Sequence, residues 1–294
     1  MRALVTGGAG FVGTNLINRL LDDGHRVVSL DNYSTGKKEN EIHRKGVQYF
    51  DVNLVETDEY DFFMEKPDII YHLAAIARIQ PSFEHPVYTH HSNVTTTLNI
   101  MDWVREKKCP VVYAGSSSSH GDKCANPYTH SKWLGEQVVT MYNRIYNIPT
   151  AICRFYNVYG DYQLTEGAYC TVLGIFERLY GNNEPLTITG DGEQRRDFTQ
   201  VDDIVDGLIR CGESMDKISG EIFELGKGKS YSINEIADAF GDYPTKYIEE
   251  KPGEMRYTLN TDTKARDVLC WNPKGDIIDY IKNNILGKLH TIYY

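Results

Sequence analysis

The 294-residue chain has no apolar run long enough to cross a membrane, and no basic stretch followed by an apolar segment and a cleavage site at its start. Both absences predict a cytoplasmic protein with no membrane partner. Positive charge is scarce, with 31 Lys+Arg against 41 Asp+Glu and a formal net charge of −10. A surface of that sign cannot neutralise a polyanion, so nucleic acid is excluded as a general partner and only a local basic pocket for one small anion remains. The six cysteines (Cys109, Cys124, Cys153, Cys170, Cys211, Cys270) form no Cys-x-x-Cys pair and have no histidine at zinc-ligand spacing. Reduced, mostly packed thiols and no metal site are expected. Internal repeats and low-complexity tracts are missing too, so no linker separates independent domains.

What is present is an alternation of short apolar runs with helical patterns, the signature of a parallel sheet with crossover helices. Strands are expected at Arg2–Thr6, Arg26–Leu30, Val47–Phe50, Asp68–His72, Val111–Ala114 and Thr150–Phe155. Between them the pattern predicts helices near Phe11–Asp23, Tyr88–Lys107 and Tyr128–Tyr146, with a short turn near Glu56–Glu65. The fold class expected is α/β: a doubly wound parallel sheet of the Rossmann type with a smaller C-terminal α/β substrate-binding lobe. After Asn157 glycine and tyrosine become frequent, and Pro185–Ile188 leads into the turn Gly190-Asp191-Gly192, a texture that suggests a lobe built partly from loops. Asp202–Cys211 then reads as a helix, Glu221–Leu225 as a strand and Ile233–Phe240 as a helix. The division expected is 1–160, with 199–228 returning to it, and a second lobe of 161–198 and 229–294.

Gly7-Gly8-Ala9-Gly10-Phe11-Val12-Gly13 lies between an apolar strand and an amphipathic helix. There Gly7 turns the chain, Gly10 lets the backbone approach a pyrophosphate, and Gly13 permits close helix–strand packing. The helix start offers free N–H groups to phosphate. Asp31, at the end of the second strand, is placed to accept both ribose hydroxyls of a dinucleotide and to repel a 2′-phosphate. The pattern therefore favours NAD, with Lys37 and Lys38 keeping NADP open.

Tyr128 and Lys132 stand four residues apart at the start of a helical stretch, which puts phenol and ammonium on one face. A free tyrosine ionises near pH ~10, and a neighbouring cation favours its phenolate, so this pair has the chemistry of a general base for a hydroxyl. In a chain with 21 tyrosines the spacing alone also describes a solvated helix face. The serines of Ala114-Gly115-Ser116-Ser117-Ser118-Ser119 strengthen the catalytic reading, because they follow the fifth strand where open α/β sheets bind ligands.

Together with His72-Leu73-Ala74-Ala75, Arg154 through Gly160, Arg196-Asp197-Phe198 and Lys251-Pro252-Gly253-Glu254, these segments resemble extended short-chain dehydrogenases/reductases. Within them the chain is most similar to the NAD-dependent nucleotide-sugar epimerase/dehydratase family, in particular its UDP-glucose 4-epimerases. The resemblance covers nearly the whole chain. It implies NAD as cofactor and Ser116, Tyr128 and Lys132 as catalytic residues. For the cofactor it implies contacts from Gly7, Gly10 and Phe11–Gly13, from Asp31 and Asn32, and from Ser34, Thr35 and Gly36. It adds Asp51 and Val52 beside the adenine, Leu73, Ala74, Ala75 and Ala77 beneath the dinucleotide, Asn93 near its pyrophosphate or ribose, and Phe155, with Tyr128 and Lys132 touching the cofactor as well. For a nucleotide-sugar substrate it implies Ser116, Ser117, Asn157, Val172, Leu186, Ile188, Arg196 and Lys251, and for the assembly a homodimer through the helices at Tyr88–Lys107 and Tyr128–Tyr146.

Three departures sharpen what the resemblance implies. Where 4,6-dehydratases carry an acid pair after the active hydroxyl this chain has Ser117 and Ser118, and the glutamate of decarboxylases and the cysteine of 3,5-epimerases are absent. What is left is oxidation and re-reduction at C4, through a transient 4-keto sugar, on UDP-glucose/UDP-galactose or UDP-N-acetylhexosamines. The other family activities are a nucleotide-sugar dehydrogenase or a 4-keto-sugar reductase, and the reading from a different class is a non-catalytic NAD-sensing Rossmann protein. His120 replaces the usual tyrosine before Gly121, and the loop from Gly121 to Tyr128 is short. Thr258 and Leu259 stand near the place where hexose-restricted epimerases carry a bulky tyrosine, so N-acetylhexosamines are expected to fit.

Overall fold

A computed structural model describes residues 1–57, 63, 66–250 and 252–287. The first half runs β1 (Arg2–Thr6), α1 (Phe11–Asp22), β2 (Arg26–Asp31), β3 (Val47–Asp51), β4 (Ile69–His72), α2 (Ile79–Glu84), α3 (Pro86–His90), α4 (Thr96–Lys107), β5 (Val111–Ser116), α5 (Pro127–Tyr146) and β6 (Thr150–Phe155). The second half continues with β7 (Asn157–Tyr159), α6 (Val172–Gly181), β8 (Leu186–Thr189), β9 (Arg195–Gln200), α7 (Val201–Glu213), α8 (Met215–Ile218), β10 (Glu221–Leu225), β11 (Ser230–Ser232), α9 (Ile233–Asp238), β12 (Thr245–Ile248), α10 (Lys264–Leu269) and α11 (Ile277–Tyr280).

Seven parallel strands form the main sheet in the order β10-β6-β5-β4-β1-β2-β3. Strands β1, β4 and β5 are apolar almost throughout because helices cover both faces, one core gathering Leu16, Ile17 and Leu208 and the other Ile100, Val104 and Val139. The order reverses between β1 and β4, which opens the crevice where such sheets bind ligands. A second body is built from the three-stranded β11-β9-β7 and the two-stranded β12-β8, closed over a third core around Phe176, Phe240 and Tyr280.

Most expected elements are found within a residue or two of their limits. The sheet has one more member than the six strands read for it, because Glu221–Leu225 pairs with β6 at its edge, Glu221 opposite Ala151. The helix read as continuous over Tyr88–Lys107 is divided by a π turn at His91–Thr95. The lobe read as built partly from loops contains α6, whose Leu173, Phe176 and Leu179 face the third core. Most of the turn expected at Glu56–Glu65 lies outside the described residues. Of the thiols, Cys109, Cys153 and Cys211 are buried, whereas Cys124 and Cys270 are exposed.

His72 shows how the crevice floor is fastened. Ala74 N donates to Thr6 Oγ1 at 3.2 Å, Thr6 Oγ1 lies 2.7 Å from His72 Nδ1, His72 Nε2 lies 3.1 Å from Thr97 Oγ1, and Thr97 Oγ1 donates to Asn93 O at 2.7 Å. Because Thr97 gives its hydroxyl proton to a carbonyl, it accepts from Nε2–H, and Nδ1 accepts from Thr6. The ring is neutral, and burial, helped by the nearby Lys132 charge, pushes its pKa down to about 3. Below its ordinary value the unfolded chain takes up a proton that the folded ring refuses, so stability falls as pH drops through that range. Urea unfolding between pH 7 and pH 5 is expected to lose up to about 1.4 kcal/mol per pH unit from this group. The comparison that checks it is His72→Gln, which should show a shallower slope against pH than the parent.

Candidate active site

The glycines of the first turn do separate jobs. Gly7 has a φ of +72°, and a Cβ there would meet Ala74 Cα at 2.9 Å, so both handedness and the close approach of the β4 exit require glycine. A Cβ on Gly13 would run into Gly7 O and lie 2.7 Å from Gly8 Cα, which ties α1 to the turn. At Gly10 only Gly7 O, at 3.2 Å, would be met, so that face is left open to a ligand.

From this turn a cavity of about 650 Å³ runs along the carboxyl ends of the strands into the second body. Its lining includes Gly7, Gly10, Phe11, Val12, Gly13, Asp31, Asn32, Ser34 and Thr35 at one end, with Val52, Leu73, Ala74, Ala75 and Ala77 along it. Ser116, Ser117, Tyr128, Lys132, Phe155, Asn157, Val172 and Arg196 line it further on. The structure thus brings most of the expected positions onto one surface, although they come from segments more than a hundred residues apart. Asp31 is held at the β2 end by Ala9 N at 2.9 Å and Tyr33 N at 2.8 Å, and its burial raises its pKa despite those hydrogen bonds. A glycine-turned helix start, a carboxylate one strand away and the apolar Val52 and Leu54 suit a dinucleotide's pyrophosphate, ribose and adenine in turn.

Several expected positions do not reach the cavity. Asn93 is buried in the π turn, where its side chain donates to Ile76 O at 3.0 Å and Ser131 Oγ at 2.9 Å and accepts from Ile76 N at 2.7 Å. Its amide is saturated by protein, so it shapes the Leu73–Ala77 segment instead of facing a ligand. Asp51 is exposed, 4.0 Å from Lys38, and Gly36 packs against Ala9 and Asp31. Leu186 and Ile188 point into the third core, while Thr187 and Thr189 line the cavity, as the two-residue alternation of a strand demands. The polar members of Leu-Thr-Ile-Thr were the sequence signal for this face. Lys251 lies outside the described residues.

Further along the cavity Tyr128 Oη donates to Ser116 Oγ at 3.3 Å, and Ser116 Oγ also accepts from Ser118 N at 3.2 Å and lies 2.9 Å from Ser118 Oγ. Burial pushes the Tyr128 phenol above its ordinary pKa, opposed by the hydrogen bond to Ser116 and by the positive charge of Arg78. That cation is not the one the helical spacing suggested. Lys132 donates to Ala114 O at 2.6 Å and sits 4.6 Å above the Tyr113 ring, with burial pulling its pKa down to about 8. Sequence reasoning missed Arg78 because nothing in its local pattern distinguishes it; only the fold carries it to the cavity.

Behind the serine turn lies a buried ionic network. Glu136, two helical turns along α5 from Tyr128, accepts from Ser116 N at 3.3 Å, Ser119 Oγ at 3.0 Å and Arg154 Nη2 at 2.7 Å. Arg154 Nη1 reaches Glu224 on β10 at 3.1 Å, and Glu224 also meets His120 Nε2 at 2.9 Å, which raises the imidazole pKa. His120 therefore hydrogen-bonds into the network through Glu224. The short loop that follows is backed by Met255, whose Cε would stand 3.5 Å from a Cβ on Gly121 and which lines the cavity.

Residues 3–226 match the family described as the NAD dependent epimerase/dehydratase family. A UDP-glucose 4-epimerase of Mycolicibacterium smegmatis is 32% identical over 309 residues, covering 97% of this chain and 97% of that protein. Among solved structures, Pal from Bacillus thuringiensis is similar with a TM-score of 0.92 at 28% identity, covering 99% of this chain and 100% of that one. A UDP-glucuronic acid 4-epimerase from Bacillus cereus, in complex with UDP-glucuronic acid and NAD, gives a TM-score of 0.89 at 26% identity over 100% of both chains.

The Arg154 network makes a direct prediction. Arg154→Met leaves the Glu136 carboxylate buried without its cation, and is expected to cost about 3–5 kcal/mol, read as a fall in the urea midpoint. Arg154→Lys should recover only part of that loss, because one ammonium cannot span both carboxylates.

Proposed function

Because the chain belongs to the NAD dependent epimerase/dehydratase family, we propose that it is a nucleotide-sugar 4-epimerase that keeps its NAD bound through turnover. The observation that carries this reading is the Tyr128–Ser116 hydrogen bond at the mouth of the crevice, followed by Ser117 and Ser118 where an acid would be needed for elimination. NAD, when bound, supplies the acceptor that takes hydride from C4 of the sugar and the donor that returns it. Tyr128 Oη takes the proton of the C4 hydroxyl and gives it back, and Ser116 Oγ holds the reacting oxygen. Lys132, buried and donating to Ala114 O, would add positive charge to the site on the cofactor's side when NAD is bound. Arg196 and Arg256, both lining the cavity, suit the substrate diphosphate because a planar guanidinium grips phosphate with two hydrogen bonds.

In this reading residues 1–160 with 199–228 hold NAD, and 161–198 with 229–294 hold the nucleotide sugar. Uridine as the base is supported by the M. smegmatis and B. cereus relatives, whose names specify UDP-sugars. A homodimer is supported by the apolar side chains that α3, α4 and α5 leave in solvent: Val87 is 69% exposed and Ile145 62%, and Tyr88, Leu98 and Met141 are exposed as well. No helix among the described residues is long and apolar enough to cross a membrane, and we place the protein in the cytoplasm.

Purified protein is expected to interconvert UDP-glucose and UDP-galactose without added NAD and without steady growth of NADH absorbance. Tyr128→Phe should lower kcat by about 10²–10⁴-fold while NAD still co-purifies. Steady NADH accumulation would point to a net dehydrogenase, and full activity of Tyr128→Phe would remove the catalytic assignment. Thr258 lines the cavity and accepts from Asn157 Nδ2 at 3.4 Å, whereas Tyr257 is 51% exposed and outside the lining, so no aromatic ring crowds C2 from this segment. UDP-N-acetylglucosamine is therefore expected to be epimerised with a kcat/KM within about tenfold of that for UDP-glucose, one methylene-sized clash being worth that much.

A further inference from the structure

We propose that Arg78 determines specificity in the sugar subsite and selects nucleotide sugars whose ring carries a carboxylate over their neutral counterparts; the proposal rests on the nucleotide-sugar reading above. Arg78 immediately precedes α2, and α2 is held against the far side of the cavity. Gln80 Nε2 donates to Pro252 O at 2.9 Å, and a Cβ on Gly253 would meet Phe83 Cζ at 3.0 Å. This anchoring points the guanidinium into the space shared by Tyr128, Cys170 and Glu254, its electrostatic neighbours.

The cations around that space are not equivalent. Among the described residues three arginines line the cavity: Arg78, Arg196 and Arg256. Arg196 faces Glu254 at 3.3 Å and Arg256 faces Asp191 at 2.7 Å. Arg78 makes no ion pair among the described residues, Glu254 acting on it only from beyond contact while paired to Arg196, and its one hydrogen bond runs from Nε to Tyr169 O at 2.6 Å. Both terminal nitrogens are thus left to whatever enters the cavity.

A guanidinium taken out of water without a counter-ion is destabilising, and burial already draws the Arg78 pKa down from its ordinary value. A carboxylate removes that cost, because its two oxygens match the two terminal N–H directions of the planar fork. The neighbour that fixes which part of the ligand arrives there is Tyr128: the phenol addresses the reacting C4, so the free nitrogens meet a substituent on the ring near it. A neutral hydroxymethyl group at that place offers a single uncharged oxygen, which cannot match both terminal nitrogens and brings no negative charge.

UDP-glucuronate and UDP-glucose differ only in having a carboxylate or a hydroxymethyl group at C5, and their binding to the NAD-containing protein can be compared by calorimetry. Wild type is expected to bind UDP-glucuronate at least about tenfold more tightly than UDP-glucose. Arg78→Met should bring the ratio close to one while the affinity for UDP itself stays as in wild type, and Arg78→Lys should retain part of the preference. Equal binding of the two sugars by wild type overturns the proposal, as does a preference that survives Arg78→Met. Should Arg78→Met lose UDP binding through misfolding, the wild-type ratio and the Lys variant still decide. Turnover is scored separately, on wild type: a binding preference erased by Arg78→Met, together with no epimerisation of either sugar by the wild-type protein, would sink the epimerase reading and leave the Arg78 assignment standing.

Discussion

One buried carboxylate holds the active groups in register. Glu136 collects the backbone of Ser116, the hydroxyl of Ser119 and the guanidinium of Arg154, and so joins the end of β5, the serine turn, α5 and β6 at a single point. The phenol of Tyr128 and the amine of Lys132 ride on the same helix as Glu136, so their positions relative to the serine follow from it. A fully buried carboxylate beside a mostly buried guanidinium is tolerable only because each is satisfied from several sides, and satisfied networks of this kind are rigid. A hydrogen bond of 3.3 Å between phenol and serine survives as a geometry because the helix and the turn cannot slide past each other.

The second consequence is electrostatic. Lys132, anchored to Ala114 O, leaves the phenol with Arg78 as its positive neighbour, and the resting phenol is held above its ordinary pKa by burial. The same cavity is lined by Arg78, Arg196 and Arg256 at one side and by the apolar Val52 and Leu54 at the other.

The two bodies of the molecule contribute differently. The parallel sheet gives rigid strand ends, while the second body supplies the walls from short strands and from the 252–258 segment, where Met255 closes over the short loop after Gly121. Asp197, fully buried, fastens these walls by accepting from Lys227 N, Gly228 N and Asn260 N, each at 2.9 Å. Variation in such segments changes the substrate without disturbing the sheet.

Short-range pattern was enough for the strand–helix alternation, the Gly7–Gly13 turn, the carboxylate at the end of β2 and the Tyr128/Lys132 spacing, because each is set by a local period or by a backbone angle only glycine adopts. The family resemblance then reached Ser116, Asn157 and Arg196, which the fold places on the cavity. It failed at Asn93, Leu186 and Ile188, where the side chain's direction depends on partners tens of residues away: Ser131 for Asn93, and the α6 core for the strand. Arg78, the true partner of Lys132 and the Glu136–Arg154–Glu224 chain were likewise decided by tertiary structure alone. Charges take their meaning from what they face after folding, and no period in the sequence records which of them end up without a counter-ion.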